Sequence, residues 1–125
     1  FNVLNNGVNM EEIIGLLFHA RNVTHKEHLK TKSYAVHKAL GHFYEDVIEL
    51  ADDLAEAYQG DEGIMADIPL FATTPLEPID DFLVKQVNMI EKLRVSASSR
   101  KAIQNIIDEV IALYLSTIYK LRNLS

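Results

Sequence analysis

The sequence predicts an all-α protein, a single domain over residues 1–125 folded as a four-helix bundle with one long connection. Apolar residues recur at steps of three and four in four separate segments, the spacing of one face of an α-helix. No segment sustains the alternation of apolar and polar residues expected of a half-buried strand. At 125 residues the chain can bury one core and is too short for two.

The first helix is predicted from Asn9 to about Leu29. Asn9 stands where an N-cap belongs, and Glu12 follows at the third helical position, as in a capping box. Uncharged residues recur every three or four positions on one face of this helix, and we expect this face to be buried: Ile13, Leu17, Ala20 and Thr24.

The second helix is predicted from about Ser33 to Gln59, after a polar turn in which Thr31 or Ser33 provides the cap. Gly60 is expected to stop it. Gly41 lies inside this helix, where glycine costs about 1 kcal/mol relative to Ala unless close packing needs the missing side chain. The apolar face consists of Val36, Leu40, Phe43, Val47, Leu50, Leu54 and Ala55.

A long crossover is predicted over residues 60–73, leading into a third helix from Pro75 to about Arg94. Pro75 follows Thr74 and precedes several acidic residues, a pattern typical of a helix start. The crossover is expected to be pinned to the bundle by its apolar residues, Ile64, Met65, Ile68, Leu70 and Phe71.

The fourth helix is predicted to follow a short link at 95–99 and to run to about Arg122. Two short links separated by one long crossover are typical of a ferritin-like bundle. The predicted core residues of this last helix are Ile103, Ile106, Ile107, Val110, Leu113, Leu115, Ile118 and Leu121.

Composition argues against several classes of function. The net charge is −6, and residues 1–9 contain no Lys or Arg, so we expect no DNA binding through a basic tail. No apolar run is long enough to span a membrane. The absence of cysteine excludes disulfides and thiolate metal sites and favours a cytoplasmic location.

A candidate metal site is predicted from His25, His37, Asp52 and Glu56. Asp52 and Glu56 are one turn apart, so their carboxylates can converge on one cation. His37 precedes Asp52 by 15 residues on the same helix, a separation of roughly 22 Å, so one chain cannot bring all four to one ion. Two copies related by a two-fold axis can, which predicts a dimer.

The segment AVHKALGHFYEDVIELADDLAE resembles the second helix of Dps-type mini-ferritins. The family pattern has one His about twelve residues before another, with Asp and Glu fifteen and nineteen residues after the second, and His25, His37, Asp52 and Glu56 match it. The resemblance implies iron binding and ferroxidase activity at a site shared by two subunits, and assembly into a cage. Gly41 stands where the family has Asp, and Lys26 where it often has an aromatic residue.

The segment HKEHLKTKSYAVHKALGHFYE is also similar to a small uncharacterised family encoded by tailed bacteriophages. This resemblance implies an alternative function, a non-catalytic helical bundle that serves as a virion component or a host-interaction module. The location would then be the host cytoplasm or the virion.

Other ligands remain open for the metal site. His28 lies one turn after His25, and Glu45 lies one turn after Gly41, so either can replace the carboxylate missing at Gly41. His42 points about 100° away and is the poorer candidate. Imidazole and carboxylate ligands suit iron, manganese or zinc. The simpler interpretation is that the carboxylates are solvated and that the histidines make hydrogen bonds without a metal.

Overall fold

The computed structural model describes residues 8–124, which form four α-helices joined by two short links and one long crossover. Helix α1 spans Asn9–Lys30, α2 Tyr34–Glu62, α3 Ile79–Ala97 and α4 Lys101–Asn123. No strand occurs between residues 8 and 124, so the predicted all-α four-helix bundle is confirmed. Within the same residues, no helix combines the length and hydrophobicity needed to cross a membrane.

The helices form a ring in which α1 packs on α2 and α3, and α4 packs on α2 and α3. The start of α1 meets the end of α3, where the Asn9 side-chain amide donates to the Ser96 hydroxyl. The end of α2 meets the start of α4, where Asp61 and Arg100 form an ion pair at 2.7 Å. Therefore α2 and α3 run in the same direction, and the crossover between them, residues 63–78, must travel the length of the bundle.

The crossover runs along α1. The buried carboxylate of Glu11 accepts a hydrogen bond from the Ala66 N–H at 2.8 Å. Further along, the Phe71 ring lies 6.0 Å from the His19 ring. Gly15 allows the close approach between these points, because a Cβ there would lie 2.6 Å from the carbonyl oxygen of Pro69. A side chain at position 15 would therefore push the crossover away from the helix.

The apolar residues of the crossover divide into two groups. Met65 and Ile68 pack against the core, as predicted. Ile64 and Leu70 are 88% and 81% exposed, so the prediction that they pin the crossover is wrong. The crossover is held instead by the backbone contact at Gly15 and the hydrogen bond to Glu11.

The core contains the predicted faces of the helices around one aromatic pair. The ring of Phe43 meets that of Tyr114 edge to face at 5.0 Å. The Tyr114 hydroxyl donates to the Gln86 side chain at 2.5 Å, and burial raises the pKa of this tyrosine. Leu115, predicted to be in the core, is 54% exposed. Its neighbour Tyr114 takes the core position, and one step along a helix turns the next side chain about 100° away.

The start of α1 and the end of α2 differ from the prediction. Helix α1 begins at Asn9, but Val8 occupies the cap position without a side-chain hydrogen bond, because the Asn9 amide is directed to α3. The capping box is therefore not formed. Helix α2 passes through Gly60 and ends at Glu62, and the cap residue Gly63 has a φ of +91°, a conformation that favours glycine.

The third helix is displaced toward the C-terminus relative to its prediction. It begins at Ile79 and not at Pro75, with Pro78 extended at the cap position. The residue before a proline avoids the helical conformation, so Pro78 prevents a helix from starting earlier. The helix also continues past Arg94 to Ala97.

Candidate functional site

The link between α1 and α2 is a tight, hydrogen-bonded elbow. The Thr31 N–H donates to the Glu27 carbonyl at 3.0 Å, and the Ser33 N–H donates to the Thr31 hydroxyl at 3.2 Å. Ser33 caps α2 as predicted, with its hydroxyl accepting from the Val36 N–H at 3.2 Å. The elbow places the last turn of α1 beside the first turn of α2.

Two histidines fasten these two turns to each other. His28 Nδ1 donates to the backbone oxygen of His37 at 2.6 Å, and His37 Nδ1 donates to the backbone oxygen of His28 at 2.9 Å. The rings stack with centroids 3.7 Å apart and planes 19° from parallel. The His28 carbonyl is one of the last four carbonyl groups of α1, which accept no hydrogen bond from within the helix. His37 therefore satisfies a carbonyl that the helix leaves open.

The hydrogen bonds fix which nitrogen of each ring carries hydrogen. A carbonyl oxygen can only accept, so Nδ1 must be the donor in both His28 and His37. In the neutral ring, Nε2 then keeps its lone pair. Metal-binding histidines commonly donate their other nitrogen to a backbone carbonyl in this way. His37 therefore has the arrangement of a ligand whose second nitrogen is already anchored.

His25 joins the same group of rings. It stacks on Tyr44 of α2 with centroids 4.1 Å apart and planes 16° from parallel. The Tyr44 ring also meets His28 edge to face at 5.2 Å, and the Arg21 guanidinium lies 5.6 Å from the Tyr44 centroid. We call His25, His28, His37 and Tyr44 the histidine cluster. It brings together the two predicted histidine ligands with His28, one of the predicted replacements.

Gly41 lies directly beneath the histidine cluster. A Cβ at this position would be 3.0 Å from Cε1 and 3.3 Å from Nδ1 of His28. Close packing thus accounts for a glycine inside α2. It also explains why a carboxylate at position 41 is incompatible with the present position of His28.

The carboxylates of the candidate site lie on the other half of α2. Asp52 and Glu56 are exposed, as is Glu45, the other predicted replacement ligand. Within residues 8–124, none of the six exposed carboxylates of this face forms an ion pair with Lys, Arg or His: Glu45, Asp46, Glu49, Asp52, Asp53 and Glu56. Their charges therefore face solvent without a protein cation.

The four predicted ligands are not brought together within one chain. His37 and Asp52 belong to the same α-helix, in which 15 residues correspond to roughly 22 Å. No group of three or more His, Asp or Glu suited to a metal ion is found in the part of the chain from 8 to 124. The site predicted from the sequence requires two copies of the chain.

The two remaining histidines, His19 and His42, are not part of the histidine cluster. His42 is exposed on α2. His19 is partly buried, and its ring lies 5.6 Å from the Phe82 ring, edge to face. Burial lowers the pKa of His19, and a hydrogen bond with the Phe71 backbone opposes part of this shift.

Sequence reasoning missed a cavity of about 300 Å³ between α1 and the crossover. Its wall includes His19, Phe71 and Lys30, and the Lys26 ammonium donates to the Thr74 hydroxyl across it at 3.4 Å. These residues are far apart in the chain, and only the course of the crossover along α1 brings them together. No spacing pattern in the sequence indicates such a cavity.

Comparison with known proteins places this chain in a family. Residues 28–121 match DUF5856, a family of unknown function. The chain belongs to this family. A curated relative, the "Uncharacterized 14.6 kDa protein in mobD-ri intergenic region" of Enterobacteria phage T4, is 32% identical over 115 residues, covering 89% of this chain and 86% of the relative. No solved structure matches at a significant level.

The family match bears on the two resemblances differently. A phage-encoded relative agrees with the predicted similarity to a bacteriophage family. The matched segment of DUF5856 begins at His28 and includes His37, Asp52 and Glu56, while His25 lies before it. Neither comparison names a mini-ferritin or a metal. The Dps-like interpretation therefore depends on the residues of this chain.

Proposed function

We propose that this DUF5856 protein binds a divalent transition metal, with ferrous iron as the first candidate, at a site completed by two copies of the chain. His25 and His37 of one copy would meet Asp52 and Glu56 of the other. The observation that carries the proposal is the division of α2: one end has an anchored histidine, and the other has carboxylates that form no ion pair within residues 8–124. An antiparallel second copy would place each end opposite its complement.

Charge supports the need for a cation. Pairing two antiparallel copies along α2 brings twelve exposed carboxylates to the paired helices, six from each chain. Like charges at short range are destabilising, and a divalent ion between imidazole and carboxylate ligands would offset this repulsion. Manganese and zinc accept the same ligand types, so the proposal extends to them.

The resemblance to Dps-type mini-ferritins supports ferrous iron as a substrate that is oxidised by peroxide or oxygen. The single long crossover is also the connection that ferritin-like bundles use. Assembly of dimers into a cage, a cytoplasmic location and the lack of DNA binding through the N-terminus remain predictions. Residues 1–7, on which the last of these partly depends, lie outside the described part of the chain.

The test is metal analysis of the purified protein, with ferrous oxidation followed in parallel. We expect His37→Ala and Asp52→Ala to lose bound metal and oxidation above the rate in buffer. Matched controls are His42→Ala and Asp53→Ala, exposed residues of the same helix that are not ligands in the proposed site. If the wild type holds no more metal than the two ligand variants, the proposal fails.

Gly41 favours a second candidate, the non-catalytic bundle that serves as a virion component or host-interaction module. With His28 over Gly41, the site lacks one carboxylate that the mini-ferritin pattern has, and a weaker shell holds cationic iron less well. The phage-encoded relative supports the same candidate. In this case the protein would show neither metal binding nor oxidation, and affinity capture from phage particles would recover it with virion proteins.

A further inference from the structure

We infer that His28 is a positioning residue for His37: it locks the two turns of the elbow together so that His37 Nε2 is presented outward as a metal ligand. This inference rests on the proposed function for its purpose, but its structural content can be tested without metal. It also gives His28 a role different from that of a replacement ligand.

The lock is reciprocal. The backbone oxygen of His28 accepts from His37 Nδ1, and this bond selects the tautomer of His37. The His28 ring in turn binds the His37 backbone oxygen at 2.6 Å, which holds the end of α1 at the distance that the first bond needs. The His28 side chain therefore acts on the His37 ring through the two backbones as well as through the stack.

The stacked geometry argues against one ion shared by both rings. The lone pair of each Nε2 lies in the plane of its ring, and a metal ion sits close to that plane about 2.1 Å away. The planes of His28 and His37 are 3.7 Å apart at the centroids and nearly parallel, so the two lone pairs do not converge. His28 covers a face of the His37 ring, and within residues 8–124 no side-chain hydrogen bond involves His37 Nε2.

Gly41 provides the space in which the His28 ring lies. The space that a side chain at position 41 would occupy holds the Cε1 and Nδ1 atoms of His28. The chain therefore has a ring over this point of α2 where the mini-ferritin pattern has a carboxylate. Losing one ligand is accompanied by tighter positioning of another.

The first experiment reads the tautomers directly. Long-range ¹H–¹⁵N spectra of the metal-free protein, recorded near pH 8.5, report which ring nitrogen carries hydrogen, because ordinary imidazoles are neutral there. We expect Nδ1–H in His28 and His37, and the solvent-preferred Nε2–H in exposed His42 as the internal control. Dominant Nε2–H in His37 would overturn the inference.

The second experiment removes the side chain of His28. In His28→Ala we expect the His37 signals to shift toward the mixture shown by His42, with the helical circular dichroism unchanged. His28→Asn keeps an N–H donor close to the place of Nδ1, and we expect it to restore part of the Nδ1–H population of His37. A His37 tautomer that is unchanged in His28→Ala contradicts the positioning role.

The third experiment connects the lock to metal, using Co²⁺ as a redox-stable substitute for ferrous iron in calorimetric titrations. Loss of an outer-shell partner typically weakens metal binding by about 10- to 100-fold, and we expect this for His28→Ala, with partial recovery in His28→Asn. Equal affinity in wild type and His28→Ala would refute the inference. If the wild type binds no Co²⁺, the proposed function fails, while the tautomer spectra still decide whether the lock exists.

Discussion

The two ends of α2 are built in opposite ways. At the N-terminal end, His37 is held by a hydrogen bond and by the stacked ring of His28, for which Gly41 leaves room. In the C-terminal half, Asp52 and Glu56 are exposed and make no ion pair within the described residues 8–124. In the proposed site, the N-terminal end presents a fixed imidazole and the C-terminal half supplies carboxylates to a metal ion held with the second copy.

The largest expected effect comes from recombining the two ends in different chains. His37→Ala and Asp52→Ala proteins should each bind no metal, because each site needs one residue from each copy. When equal amounts of the two proteins are mixed, unfolded and refolded together, random pairing makes half of the dimers mixed. Each mixed dimer has one intact site out of two. We expect metal binding to return to about one quarter of the wild-type level. No recovery in a mixture that demonstrably exchanges chains would mean that the site is not shared.

The next effect concerns self-association. Carboxylates brought together along α2 repel each other unless a cation lies between them, so we expect divalent metal to tighten the dimer tenfold or more, about 1.4 kcal/mol. Sedimentation velocity with Co²⁺ and with chelator measures this. Asp53→Asn should keep the metal response and Asp52→Asn should lose it. A strict monomer at micromolar concentration under both conditions would refute the dimer.

Two glycines of α2 allow the effect of an added methyl group to be compared between a packed position, Gly41, and an open one, Gly60. Gly60 has no heavy atom within 4 Å of a built Cβ, so Gly60→Ala should stabilise the helix by about 0.5–1 kcal/mol. At Gly41 the new methyl would meet the His28 ring, whose hydrogen bond prevents retreat, and we expect a loss of about 1–3 kcal/mol. Urea unfolding measures both.

A double variant checks the cause of the Gly41 effect. Adding His28→Ala to Gly41→Ala removes the contact, so the two changes together should cost less than their sum. Additive losses would show that the methyl and the ring do not interact.

The smallest effect comes from His19, a histidine that packs without belonging to the cluster. Burial lowers its folded pKa below the ordinary value of 6.5. The unfolded chain therefore takes up the proton first, and the stability that neutral His19 contributes is present above pH 6.5 and is lost as the pH falls through the folded pKa. The pH dependence of the urea midpoint between about 7 and 5 should be flatter in His19→Phe than in wild type. All other ionisable groups are the same in both proteins, so the difference isolates His19, and parallel curves would contradict this assignment.

The fold was predictable because its signals are local. The spacing of Ile13, Leu17 and Ala20 predicts a buried face wherever the helix packs, and Ser33 caps α2 through a contact three residues away. The errors at the end of α2 and the start of α3 arose where two local signals competed. Gly60 and Gly63 both permit a helix end, and Pro75 and Pro78 both permit a start, and the choice between them depends on the neighbouring elements.

The candidate site was predictable only in part. The spacing of His37, Asp52 and Glu56 is visible in the sequence, and so is a glycine inside a helix that calls for close packing. The partner of that glycine is not visible, because His28 reaches Gly41 only after the elbow has folded α1 against α2. The reciprocal hydrogen bonds likewise join residues on separate helices, which no single-helix pattern specifies.

The course of the crossover has a consequence for the order in which the chain assembles. Helices α1 and α2 meet through a link of three residues, whereas the bond from Ala66 to Glu11 closes a loop of 55 residues. Longer loops cost more chain entropy, and the crossover has no surface to lie on until α1 is in place. We expect it to dock last and to detach first. The amide of Ala66, bonded to a buried carboxylate, should therefore exchange its hydrogen at a rate that measures this local opening while the amides in the centre of α1 stay protected.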